Sequence, residues 1–213
     1  MARMNVNPTR MELTNLKRRL KTAVRGHKLL KDKRDELMKQ FLDIVREAKE
    51  LREDVDKKLL DYYKMMIIAK ASMSEEDLQT ALMMPKLSAT LTATHQNIIS
   101  VNVPKFQFHT QIRGDSILPY GFLDTNGELD SAIMTLSQIF SDLLRLSEKE
   151  KACELLADEI EKTRRRVNSL EYVMIPQFLE TIKYIKMKLD ENERGNTTRL
   201  MKVKDMMIAE QFK

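Results

Sequence analysis

A mainly α fold is predicted, a long antiparallel two-helix coiled coil with a small central insert holding a short helix and a β-hairpin. Three observations carry the prediction. Charged residues make up 32% of the 213-residue chain and aromatics 6%, tryptophan is absent, and glycine and proline number five each, the profile of long helices. Apolar residues step by three and four along most of the first and last thirds of the chain. Between them lies a stretch where prolines, glycines and period-two alternation collect instead.

The first third reads as one helix. Thr9 is placed to cap it, with Glu12 three residues on to complete a capping box. The apolar seam then runs Leu13, Leu16, Leu20, Ala23, His27, Leu30, Arg34, Leu37, Phe41, Ile44, Ala48, Leu51, Val55, Lys58, Tyr62, Met65 and Ala69. Only His27, Arg34 and Lys58 interrupt it, and spacing sustained over so many heptads is a coiled-coil signature. At 1.5 Å per residue, residues 10–73 would span roughly 95 Å.

The last third reads as a second long helix with a less regular seam. Ile139, Leu143, Leu146, Cys153, Leu156, Ile160, Thr163 and Val167 lead to Leu170, Met174, Phe178, Ile182, Ile185 and Leu189. Successive steps of four from Leu170 to Ile182 form a stutter, which locally unwinds a supercoil. Pro176 sits inside it and removes one helix hydrogen bond. Gly195 is a second weak point, after which Leu200, Val203 and Met207 resume the stripe; Met65, Met174 and Met207 are all expected in the core.

The boundaries drawn are residues 1–73 for the first helix, 74–132 for the insert and 133–213 for the second helix, within one structural unit. In the insert, Ser74 is expected to cap a short helix over SEEDLQTALMM. NIISVNVPKFQFHTQI alternates with period two, and its phase changes at Pro104 as at a bulge or strand break. RGDS is turn-like, and ILPYGFL is expected to return as the second strand.

Two helices flanking a compact insert should fold back on each other. Facing residues would then have numbers adding to roughly 205–210, placing Arg34 near Asn168 and Glu171, and Lys58 near Glu148 and Glu150. Single polar layers such as His27, Arg34 and Glu171 fix the register of a seam at some cost in stability.

Catalytic chemistry is poorly supported. No GxxxxGK[ST] loop occurs. His27, His95 and His109 lie far apart without partners at metal-ligand spacing, so neither a metal nor a cofactor is expected. A lone histidine in a seam reads as a polar packing residue. Cys153 occupies a seam position and reads as a small buried hydrophobe. As the chain's one cysteine it cannot form an internal disulfide, which suits a reducing compartment. GDS at 114–116 lacks the following glycine of a nucleophile elbow. No apolar stretch approaches the roughly 18 residues that span a bilayer, and no signal-peptide core precedes the first helix.

Charge is unevenly placed. Residues 1–73 carry 19 basic and 11 acidic side chains, 74–132 carry 3 and 7, and 133–213 carry 15 and 14. The cluster Lys17, Arg18, Arg19, Lys21, Arg25, Lys28 and Lys31, with Arg164, Arg165 and Arg166 on the second helix, is either a solvated face or a docking surface. Nucleic-acid binding normally adds stacking aromatics or a reading module, and the segment has neither. An acidic protein surface is the better match. Met83 and Met84, beside Pro85, are candidates for contact with another subunit.

Longer motifs add a resemblance. NPTRMELTNLKRRLKTAVRGHKLLKDKRDEL at 7–37 and EKTRRRVNSLEYVMIPQFLETIKYIKMKLDENER at 161–194 resemble the two signatures of the D subunit of the V-type (V/A-type) rotary ATPases, the central rotor shaft family. SVNVPKFQF at 100–108 and YGFLDTNGELDSAI at 120–133 are similar to its middle region. The resemblance implies a non-catalytic central-stalk shaft that couples ATP hydrolysis or synthesis to proton or sodium transport. Implied partners are the catalytic and regulatory subunits of the hexamer, the small F subunit of the central stalk, and a rotor-base subunit on the membrane ring. The chain would sit on the cytoplasmic side as a peripheral subunit, with no direct membrane insertion and no nucleic acid. On that reading Lys17, Arg18, Arg19, Arg25, Lys28 and Arg164, Arg165 and Arg166 face the collar of the hexamer. Met83, Met84, Phe106, Phe108, Tyr120 and Phe122 face the small stalk subunit or rotor base. The alternatives from other classes are a prefoldin-like chaperone or tether and a nucleic-acid-binding coiled coil.

Overall fold

The computed structural model describes residues 4–112, 117–121 and 125–211. Helix α1 runs Arg10–Ser72 and helix α2 Glu75–Leu82. Strands β1 (Leu87–Ile98) and β2 (Val101–Ile112) form an antiparallel hairpin. Helix α3 (Gly127–Ser169) passes through a π-turn at Leu170–Met174 into helix α4 (Ile175–Gln211). The fold class is therefore as the periodicity predicts. The chain divides into two compact units, one of residues 1–35 with 161–213 and one of residues 36–160.

The helix boundaries follow from local chemistry. Thr9 Oγ1 accepts the Glu12 amide at 3.2 Å and starts α1. Ser74 Oγ accepts the Asp77 amide at 3.2 Å, and three acidic residues fill the first turn of α2. The Asn126 carbonyl accepts the Leu129 amide at the start of α3, while its side chain donates to Ser72 Oγ at 2.8 Å. One asparagine thus ties the end of α1 to the start of α3.

In the unit holding both chain ends, α1 packs antiparallel to α4. Leu16, Phe178 and Ile185 are buried, with Leu13, Leu20, Ala23, Ile182 and Leu189 around them. The segment before α1 joins this core through Met4 and Val6, and the Met4 amide donates to the buried Thr181 hydroxyl at 3.3 Å. In the other unit, α1 packs antiparallel to α3. Leu37, Ala152, Leu156 and Ile160 form a core with Val101 and Val103 of β2. Ala69, Ala81 and Leu129 form a second cluster with Tyr120 and Ile133. Every predicted seam residue of α1 is buried or half-buried except Lys58.

The register differs from the expected one. His27 meets Glu171, Lys58 meets Asp142 at 2.6 Å, and Lys149 meets Glu47 at 2.6 Å. Facing numbers therefore add to about 200, as the helix ends Ser72 and Gly127 dictate. Arg34 does not pair with Asn168 or Glu171; its guanidinium donates to its neighbour Asp35 at 2.7 Å. Lys58 pairs with Asp142 instead of Glu148 or Glu150, and Glu150 takes Arg52.

The hairpin also differs. Its turn is Ile99–Ser100, with φ of 48° and 71°, as a two-residue loop of positive-φ residues requires. The segment expected to be one strand is thus the last two residues of β1, the turn and β2, and the rest of β1, LSATLTATHQ, is a stretch the alternation did not single out. Ile117–Gly121 carries no strand, so the expected return at ILPYGFL is absent there; RGDS and Phe122 lie outside the described residues. No bulge interrupts Pro104, which pairs in register with His95. Pro104 shares the outward parity of Phe106, whose amide donates to Glu148 of α3 at 2.8 Å. Its missing N–H therefore costs the ladder nothing.

The stutter takes the form of the π-turn. The Ile175 amide donates to the Leu170 carbonyl, five residues back, immediately before Pro176. Helix α4 then continues through Gly195. The expected core placement of Met174 and Met207 is overturned: Met174 is 40% exposed and Met207 59%, and Leu200 and Val203 are exposed as well. Met174 belongs to the π-turn, which displaces its side chain from the seam. For the stripe beyond Glu193 the reason is that α1 starts at Arg10, which pairs with Glu193, so among the described residues no helix covers it.

Candidate docking surfaces

The predicted basic residues all lie on exposed helix faces of the unit that holds both chain ends. Lys17, Arg18, Arg19, Arg25 and Lys28 project from α1, and Arg164, Arg165 and Arg166 from α3. Between Glu12 and Asp32 the chain carries seven lysines and arginines and no carboxylate. Salt bridges reflect this. Arg165 pairs with Glu161 one turn back. None of Lys17, Arg18, Arg19, Arg25, Lys28, Arg164 and Arg166 has an ion-pair partner among the described residues.

Cations further along α1 are treated differently. Arg46, Lys49, Lys57 and Lys64 pair with Asp43, Glu53, Asp54 and Asp61 on the same helix, and Arg52 and Lys58 reach α3. Exposed pairs of this kind contribute little to stability. Their effect is to neutralise the surface, so that the cations of residues 17–28 form the uncompensated field.

His27 and Glu171 meet across the helix pair, Nε2 to Oε2 at 3.3 Å. His27 is mostly covered, and Arg34, about two turns further along the same seam, is turned to Asp35. Among the described residues no three His, Cys, Asp or Glu side chains gather as a metal site. No helix among them is long and apolar enough to cross a membrane. Cys153 is half-buried, and burial, followed by the charge of Glu150, pushes its thiol above the ordinary value. That is the opposite of an activated nucleophile.

The second set of predicted contacts is more scattered. Met83 and Met84 are 79% and 76% exposed. They adjoin a mostly apolar hollow of ≈ 230 Å³ lined by Leu82, Pro85, Leu87, Ile117, Pro119 and Phe140. Sequence reasoning named the two methionines and missed the hollow, whose far wall comes from α3. Tyr120 is half-buried instead of presented. Its hydroxyl donates to Asp130 Oδ1 at 2.7 Å, and burial together with that carboxylate drives its ionisation well above the ordinary range. Phe106 and Phe108 are half-buried on β2, so among the described members of this set only Met83 and Met84 share one open surface.

Comparison with known proteins adds an independent line. The sequence model of the family described as the D subunit of ATP synthase matches residues 12–205. A protein of Acetivibrio thermocellus, named as the D subunit of a V-type ATP synthase, is 64% identical over 211 residues, covering 99% of this chain and 95% of its own. One from Clostridioides difficile with the same name is 62% identical over 208 residues, covering 98% and 94%. One from Clostridium botulinum, also so named, is 58% identical over 211 residues, covering 98% of each.

Proposed function

The chain belongs to the ATP synthase D-subunit family, and from that premise we propose that it is the central-stalk shaft of a V/A-type rotary ATPase. It performs no chemistry itself. It couples ATP hydrolysis or synthesis in a hexamer of catalytic and regulatory subunits to rotation of a membrane ring and transport of protons or sodium. The small F subunit of the central stalk and a rotor-base subunit on the ring are its other partners. The chain sits on the cytoplasmic side as a peripheral subunit.

The observation that carries this reading is the contrast within α1. One 63-residue helix neutralises its own cations along one part of its length and leaves those at 17–28 without ion-pair partners among the described residues. Such a surface suits an acidic surrounding wall, and the cations of α3 at 164–166 join it. Lys17, Arg25 and Lys28 fall within one arc of α1 at 3.6 residues per turn, so the helix presents a different surface to each of three surrounding interfaces. Differential contact is what can bias each interface towards a different state. A helix with a single glycine along its length is also suited to transmitting torque. Met83, Met84, Phe106, Phe108, Tyr120 and Phe122 are assigned to the small stalk subunit or the rotor base, the first two as the most exposed. His27 and Glu171, which meet across the helix pair, are assigned to register; Arg34, turned to Asp35, loses that assignment. The family match favours the shaft over the prefoldin-type chaperone and nucleic-acid readings.

Replacing Arg18, Arg19 and Arg25 together by glutamate tests the collar assignment. Each reversal turns an attraction into a repulsion, so turnover of the assembled complex should fall about tenfold or more, with helical content of the chain unchanged. Unaltered assembly and turnover would sink the assignment.

A further inference from the structure

A groove opens in the unit holding both chain ends, beside the π-turn. It measures ≈ 570 Å³, and its surface is almost wholly apolar. Leu170 and Met174 come from the π-turn, Phe178 from α4, and Ala23 and Gly26 from α1. Arg18 and Arg19 stand at its rim, exposed and without an ion-pair partner among the described residues. We propose that this groove is a socket for one apolar side chain of an acidic segment of the hexamer collar, with Arg18 and Arg19 clamping the carboxylates beside it. The proposal rests on the shaft reading and adds the place and chemistry of one contact.

Gly26 supports it. Glycine weakens a helix interior relative to alanine, so its presence in the middle of α1 asks for a reason. The chain's own packing supplies none: a Cβ built on Gly26 meets no atom within 4 Å, and Gly26 has no positive φ. The space beside Gly26 is open and available to a group that enters from outside. The π-turn acts in the same sense. A wide turn carries an extra residue and displaces side chains from the seam, and it leaves Tyr172, Val173 and Met174 exposed.

Charge decides the occupant. An apolar ligand alone would gain nothing from two arginines, and an acidic surface alone would gain nothing from an apolar floor. A segment with an apolar tip and adjacent aspartate or glutamate uses both. Arginine is the cation best suited to grip carboxylates at an interface, through paired N–H donors.

The test is reconstitution of the full chain with a hexamer assembled without it, measured by direct binding. Gly26→Leu fills the socket, and Gly26→Ala is a milder control. Met174→Glu places a repelling charge on the opposite wall, where an exposed side chain leaves folding unaffected, and Met174→Leu is its apolar control. Gly26→Leu and Met174→Glu should each weaken binding roughly thirtyfold, the effect of losing one hot-spot contact, while Gly26→Ala and Met174→Leu bind within a few-fold of the parent. Melting temperatures at or above the parent's for the Gly26 variants would accompany this. Normal binding by Gly26→Leu and Met174→Glu, with binding lost on Arg18→Glu/Arg19→Glu, overturns the socket and leaves the collar contact standing. Normal binding by all of them overturns both. A change in self-association on sedimentation, with hexamer binding unchanged, assigns the groove to a second copy and likewise overturns the proposal.

Discussion

Two buried threonines on the second helical segment should respond to the same substitution with opposite signs. Thr163 is 1% exposed and Thr181 0%. The Thr181 hydroxyl donates to the Gln177 carbonyl at 2.7 Å and accepts the Met4 amide at 3.3 Å. The Thr163 hydroxyl has no hydrogen-bond partner among the described residues. Valine keeps the shape of threonine and replaces the hydroxyl by a methyl. At Thr163 the change removes a buried polar group whose desolvation is uncompensated, a penalty of about 1–3 kcal/mol, so Thr163→Val should stabilise by about 1–2 kcal/mol. At Thr181 it removes two hydrogen bonds and leaves the Met4 amide without its acceptor, so Thr181→Val should destabilise by about 1–2 kcal/mol. Urea unfolding followed by circular dichroism reads both. With an m-value of about 3 kcal/mol/M, the midpoints should move apart by about 1 M in total. Midpoints that shift in the same direction, at unchanged m, would refute the assignment of one hydroxyl as satisfied and the other as orphaned.

Other outcomes follow from the same structure. Ser100→Gly relieves a positive-φ serine of about 1–2 kcal/mol and adds some chain entropy to the unfolded state, so it should stabilise by about 0.5–1 kcal/mol in the same urea titration. Ile99→Gly should not, because Ile99 also packs against the Leu37–Leu156 core. The Cys153 proton is held more tightly in the folded chain than in the unfolded one. Alkylation near pH 8 should therefore be several-fold slower in buffer than in denaturant, and stability should decline as pH rises past the ordinary thiol value of 9.0. Equal alkylation rates in the two conditions would contradict the burial of that thiol.

Much of this fold is legible in the sequence, and the exceptions have physical causes. The seam of α1 can be read because leucines and isoleucines at steps of three and four have only one way to be buried together. Periodicity names a face, however, and says nothing about whether a partner helix is there to cover it. Met207 and Leu200 continue the stripe and remain exposed because α1 begins opposite Glu193. The register of helix pairing depends on where the insert begins and ends, and Gly127 starts α3 earlier than the apolar pattern suggests. The hairpin is least legible at its turn: Ile99–Ser100 holds positive φ without glycine or asparagine, relying on the Asn97 side chain, which accepts the Ser100 amide at 3.0 Å, and on the packing of Ile99. A signal for β1 is present in Thr90, Thr92 and Thr94, which alternate with Ala89, Leu91 and Ala93.

The candidate surfaces divide the same way. The basic run is visible in the sequence because no acid interrupts residues 13–31. That these cations stay unpaired while Lys58 and Arg52 find partners is a property of packing. The apolar hollow beside Met83 combines residues from both sides of the hairpin, and the groove at Gly26 depends on a π-turn; neither is spelled by any local motif.

Rotation is the property on which the proposed function rests. A probe fixed to an exposed position of this chain, in a surface-anchored complex supplied with ATP, should turn in one direction with three equal steps per revolution. ATP consumed at an undiminished rate while the probe stays still would contradict the shaft account outright.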